Sequence, residues 1–205
     1  MRAPVSLLAM VLLVACAGLP AIKPETVPEG VSPFLTGSRR LVHSISGTLP
    51  GGSTASMIGV IAFDTASGRI RCSLMSIEGL VFLDAEHNGS LVIHRAVGPL
   101  SSPDFIMGMI GDIRIMLFAP DGTRVESGRL RDGSPVSRYR TERGMTDLIW
   151  RENGETEVAV YGPSQGRERS VRFSAGRRNG VPEKIEFSAS GTFGYSLRLD
   201  LLDAE

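Results

Sequence analysis

The residues that could do chemistry are few and scattered along the chain. His43, His87 and His94 are isolated from one another, and no two have the spacing that places a pair of ligands on one helix face, so no metal site is expected. Each reads as a surface or strand-face residue. Ser53, in Gly-Gly-Ser-Thr-Ala-Ser, lacks the G-x-S-x-G frame and the strand-to-helix context of a nucleophile elbow, and reads as part of a hairpin turn. Ser188 to Gly191 is likewise a strand end and turn. Glu183, Glu186 and Asp200 could serve as general acids, but nothing in the spacing pairs them at a cleft. No glycine-rich phosphate loop follows a strand and opens a helix. The expectation is a non-enzyme with no catalytic residue, no metal and no cofactor. What remains is a pair of thiols, Cys16 and Cys72, in 205 residues.

Cys16 follows Arg2 and an almost unbroken apolar run from Val5 to Val14, too short for a span of roughly 20 residues and suited to an export signal. Leu13-Val14-Ala15-Cys16 matches the lipobox of bacterial lipoproteins, in which the sulfur is diacylated and a peptidase then cuts before the cysteine. The alternative is an ordinary signal peptide cut near Ala17 or Gly18. With the lipobox, residues 1–15 are the signal peptide and Cys16 is the lipidation site and mature N-terminus, carrying acyl chains such as palmitate. The protein is then held on a membrane rather than through it. Ala17 is not the aspartate that retains lipoproteins in the inner membrane of enteric bacteria, which favours the outer membrane, facing the periplasm. Lys plus Arg and Asp plus Glu are 22 each, so no basic surface for nucleic acid is expected, and attachment rests on the lipid rather than on charge.

Residues 16–37 contain four prolines and no sustained period, and read as a lipidated tether with a short helix possible around Val31 to Leu35. From residue 38 to residue 205 the chain reads as one domain. With 24 glycines and 12 prolines, strand-like stretches alternate with turn signals such as Asn88-Gly89, Asp121-Gly122, Asp132-Gly133 and Asn179-Gly180. Five strands fall within residues 39–97 and six or seven within 123–202, about 11 in all. Such a number of short antiparallel strands predicts a mainly β fold, an unclosed or curved barrel. Phe193, Tyr195, Leu197, Leu199 and Leu201 share one strand face; Ile185, Phe187 and Ala189 share another. Cys72 falls with Ile70 and Leu74 and is expected to be a buried small hydrophobe. The strand through Met57, Ile58, Val60, Ile61 and Phe63 is apolar on both faces, so something must cover its second face.

A helix that starts at Pro103, with Ser102 as its cap and Asp104 at its positive end, supplies a cover. Phe105, Met109, Asp112 and Met116 form one line on it, with Ile106, Ile110, Ile113 and Leu117 beside them. The apolar face is broad, and the helix is expected to be covered by the rest of the protein. Its last turn, Ile113 to Phe118, could equally be a short strand. Laid on the concave side of a curved sheet, the helix either completes a filled core or roofs a cavity. In the second case Met57, Ile61, Phe63, Phe105, Ile106, Met109, Ile110, Ile113, Met116 and Leu117 line it.

The order of lipobox, Pro-rich tether, strand meander, central apolar helix and second strand group resembles the LolA/LolB-like proteins of the bacterial cell envelope. The segments SLMSIEGLVFLDA, RAVGPLSSPDF and GDIRIMLFAP carry the likeness to a LolB-like lipoprotein group. The resemblance implies an unclosed antiparallel barrel capped by helices, whose apolar interior accepts acyl chains of lipid or lipoprotein cargo. In LolB an apolar side chain protrudes from a loop between two early strands. Here the matching turn is the short Ser76 to Leu80, where Ile77 or Leu80 could serve. The competing class is a structural or assembly lipoprotein with a filled barrel and protein partners.

Overall fold

The computed structural model describes residues 18–27, 30–48, 52–191 and 194–205. Its strands are β1 (Lys23–Pro24), β2 (Ser38–Thr48), β3 (Thr54–Asp64), β4 (Arg69–Met75), β5 (Val81–Asn88) and β6 (Ser90–Ala96). The helix α1 (Pro103–Leu117) follows. After it come β7 (Thr123–Arg129), β8 (Pro135–Thr141), β9 (Gly144–Trp150), β10 (Thr156–Tyr161) and β11 (Arg167–Phe173). A two-residue pair, β12 (Arg177–Arg178) and β13 (Val181–Pro182), precedes β14 (Lys184–Ala189) and β15 (Tyr195–Ala204). Cys16 and Phe193 lie outside the described residues.

One sheet of 13 antiparallel strands runs in the order β1-β7-β8-β9-β10-β11-β14-β15-β2-β3-β4-β5-β6. The two strand groups expected from the sequence are thus welded by β15 on β2, where Leu199 faces Ile45 and Leu201 faces His43. The sheet does not close. The connection from β6 to β7 joins strands at nearly opposite ends of this order. Flat, those ends would stand about 50 Å apart at the usual strand spacing, whereas a helix of α1's length covers about 22 Å. The burial of α1 in one cluster with Leu41 and Ile70 from the first strand group and Phe173 and Phe187 from the second places it across the concave side of a curled sheet. Register shifts in β4–β5, β5–β6, β7–β8, β10–β11 and β15–β2 supply local bends for that curl.

Alternation decides which residues enter the core. Leu41, Ile45, Ile70, Cys72, Ile185, Phe187, Leu199 and Leu201 are all buried in one cluster with α1. The expected cover lies over one side only of the doubly apolar strand β3. Ile61 and Phe63 are buried with α1, while Ile58 and Val60 stay half-buried. Val60 is paired across to Val42, so the two branched side chains shelter each other. Helix α1 begins as expected, with the Phe105 amide donating to Ser102 Oγ at 3.5 Å and Pro103 in the first turn. It remains helical to Leu117, which settles the ambiguous last turn. The Asn179-Gly180 signal forms its own small hairpin: both residues have positive φ, 53° and 81°, between Arg178 and its partner Val181.

The stretch read as a lipidated tether packs against the sheet over its described part. Leu19 and Ile22 pack on a second apolar cluster of Val136, Ile149, Ala159 and Tyr161, on the face of β8–β10 away from α1. The Pro20 carbonyl accepts from Arg138 Nη2 at 2.9 Å, and β1 pairs with β7. Residues 30–37 then run on the α1 side, where Phe34 and Leu35 pack against the main core. Residues 31–36 are extended coil rather than the short helix considered from sequence. Phe34 and Leu35 are held by tertiary contact, which a local reading cannot see.

Candidate functional site

The candidate site is the concave face and the helix laid across it. Ile106, Ile110, Ile113, Met116 and Leu117 are buried against the sheet, each burial stabilising by about 1.5–3 kcal/mol relative to exposure. Of the ten residues expected to line an interior, these five and Ile61 and Phe63 meet there, with Met57 and Met109 half-buried at its margin. Phe105 does not: it is 46% exposed, and Met107 beside it is exposed too. The expectation of a helix covered throughout is corrected here. Over residues 103–108 only Ile106 is buried, whereas from Met109 onward no residue of the helix is exposed.

The two charged residues of that inner half tie it to opposite parts of the sheet. Asp112 is buried and accepts from Arg169 Nε at 2.9 Å and from the Tyr195 hydroxyl, reaching β11 and β15 at once. Arg114 Nη2 donates to the Gly68 carbonyl at 2.5 Å, in the β3–β4 turn, and its guanidinium stands 5.3 Å from the Phe118 ring centre. Burial and then the Asp112 charge push the Tyr195 hydroxyl well above the ordinary tyrosine range, so it stays a proton donor. Sequence reading missed Arg169, Tyr195 and the role of Asp112. The available signal was an acidic residue in an otherwise apolar line of the helix.

The floor also contains residues that spacing and periodicity do not assign to the site. Trp150 and Phe173 belong to the same cluster as α1. His43, expected at the surface or on a strand face, is 1% exposed on the concave face, opposite Gly59 and Leu201. Neither ring nitrogen has a hydrogen-bond partner. Burial drives its pKa down to about 4, so the ring is neutral at physiological pH. Gly59, without a side chain, leaves room for Ile45, whose Cδ1 would lie 2.5 Å from a Cβ there. Cys72 is a free buried thiol, pushed up to about 12 by burial, and hence unsuited to nucleophilic work.

The remaining chemical candidates do not converge. Glu186 sits opposite Arg198 on β15, and Arg198 Nε donates to Asp200 Oδ2 at 3.0 Å. Glu183 stands 3.9 Å from Arg178. These carboxylates form a charged outer surface. Among the described residues no group of three His, Cys, Asp or Glu side chains stands close enough to hold a metal ion. A concavity of about 370 Å³ lies on the sheet's outer side, among Ser46, Ser170, Arg172, Glu186 and Arg198. A second, of about 560 Å³, lies between residues 24–27 and Arg124, Ser127 and Ser137. Neither is lined by α1. Under the helix both layers are apolar and packed together.

No protein-family profile matches the sequence, and no curated protein matches it. In three dimensions the chain is similar to a LolA superfamily protein from Nitrosomonas europaea. The TM-score is 0.56 at 12% identity, over 84% of this chain and 87% of that one. At that identity the likeness speaks for architecture alone. The chain has a LolA-like fold, a curved unclosed antiparallel sheet with a helix across its concave face.

Proposed function

We propose that this protein is a lipoprotein that binds acyl chains of lipid or lipoprotein cargo between α1 and the concave sheet, without catalysis. It is anchored through Cys16 and faces the periplasm from the outer membrane. The observation that carries this reading is the way the roof is held. Helix α1 takes no part in the strand ladder, so lifting it breaks apolar contacts and a few side-chain links but no strand pairing. The space exposed is apolar on both layers, and buried area favours any long chain at roughly 25 cal/mol per Å². The rim supports the same reading. Where β4 ends, β5 begins, β6 ends and α1 begins, Ile77 is 74% exposed, Leu80 56% and Phe105 46%. Exposed apolar groups gathered at one end suit contact with a membrane or another apolar surface.

A second reading, a structural or assembly lipoprotein with a filled interior, is favoured by the complete burial of Ile106, Ile110 and Leu117 against the sheet. Native mass spectrometry of the purified protein separates the two: copurified lipid lost on substitution of α1 residues supports the carrier, and a bare chain mass sinks it. Anchoring is tested apart from cargo. Cys16→Ser should abolish palmitate incorporation and release the protein from the membrane fraction; continued labelling would refute lipidation at that residue.

A further inference from the structure

Residues 30–37 form a strap across the part of the concave face containing Trp150 and Phe173. A Cβ on Gly30 would lie 2.3 Å from Trp150 Cδ1, so the main chain there rests directly on the indole. Pro33 is buried, and the Phe34 ring meets Phe173 edge-on with centroids 6.3 Å apart. The Leu35 amide donates to the Leu117 carbonyl at 3.3 Å, fastening the strap to the end of α1. Arg177 Nη2 donates to the Ser32 carbonyl at 3.1 Å, and the Gly37 amide to Thr65 Oγ1 at 2.8 Å. Residues 30–36 belong to no strand, so these few bonds and the aromatic contacts are what hold them. On either side the chain is fixed by main-chain ladders, at β1 and from Ser38 in β2.

We propose that this strap is an intramolecular competitor for the acyl-chain site: Phe34 and Leu35 occupy apolar floor that cargo needs, and cargo enters by displacing them. The inference rests on the acyl-binding reading above and adds its regulation. Anchorage at both ends keeps the strap at high effective concentration, so it reseats when the site empties. An apolar floor of two aromatic rings is thereby never presented bare to water. The strap is the more easily released cover, because Phe34 and Leu35 are half-buried where Ile106, Ile110, Ile113 and Leu117 of α1 are buried.

The test is the binding of cis-parinaric acid to the purified full chain, read by its fluorescence, in the wild type and in Gly30→Ala and Phe34→Ala. The first variant forces the backbone off Trp150 while keeping every apolar strap residue; the second removes the plug. Both should bind the probe at least about five-fold tighter than wild type. Hydrogen exchange on the wild type needs no variant, and saturating probe should accelerate the Leu35 and Gly37 amides while the β-ladder amides stay protected. Equal or weaker binding by both variants, or unchanged exchange at residues 30–37 in a wild type that binds the probe, overturns the competitor and leaves acyl binding standing. If neither the wild type nor any variant binds, the acyl-binding reading itself falls, and the competitor with it.

Discussion

Replacing Asp112 with alanine should destabilise the fold by about 2–3 kcal/mol. Two donors lose their acceptor, the Arg169 guanidinium and the Tyr195 hydroxyl. Breaking a buried pair by removing one member costs about 3–5 kcal/mol when the remaining charge is fully enclosed. The Arg169 side chain is 31% exposed and can turn to water, which reduces its share. Tyr195 cannot do so as easily, and an unmet hydroxyl beside the core costs about 1–3 kcal/mol. For a chain of this size the sum corresponds to a fall in Tm of roughly 5–10 °C. Urea unfolding of Asp112→Ala, Tyr195→Phe and the double variant measures the coupling, expected at about 1–2 kcal/mol. A loss under about 0.5 kcal/mol for Asp112→Ala, or strict additivity with Tyr195→Phe, would refute the view that this carboxylate fastens α1 to the sheet.

His43 should make the fold acid-sensitive: with a folded pKa near 4 against 6.5 in the unfolded chain, the unfolded state binds the proton first as pH falls. Stability should decline between those values by about 3 kcal/mol relative to His43→Leu, and a pH-independent difference between the two proteins in urea unfolding would contradict it. Arg138 donates to both oxygens of Asp147, at 2.7 and 2.8 Å, and the Asp147 side chain is 0% exposed. Arg138→Ala should therefore cost about 3–4 kcal/mol, and Arg138→Met with Asp147→Leu should recover most of it in the same assay. Along α1, Ile110→Ala should cost about 2–4 kcal/mol and Phe105→Ser no more than about 0.5 kcal/mol, by thermal or urea unfolding. Equal losses would mean that Phe105 is packed as tightly as Ile110.

Period and turn chemistry made much of the architecture legible. Alternation in β14 and β15 put Ile185, Phe187, Leu199 and Leu201 on one buried face, as the sheet has them. Ser102 and Pro103 located the start of α1, because a cap is satisfied by groups within one turn. The apolar line through Ile106, Ile110, Ile113 and Leu117 identified its inner face. The neighbouring line through Phe105, Met109, Asp112 and Met116 misplaced Phe105, since helical phase tells which side a residue occupies but not how far along that side the cover reaches.

What the sequence by itself determined is therefore the set of local commitments: strands of period two, one amphipathic helix and the turns between them. Tertiary structure alone decided the rest. Which strand closes on which follows from β15 reaching β2, a pairing between the two ends of the chain that leaves no trace in either strand's own pattern. The burial of His43, the convergence of Arg169 and Tyr195 on Asp112, and the seating of residues 30–37 on Trp150 and Phe173 all join positions remote in sequence. Side-chain type and spacing encode what a residue can do nearby; which distant partner it meets depends on how the curled sheet brings the elements together.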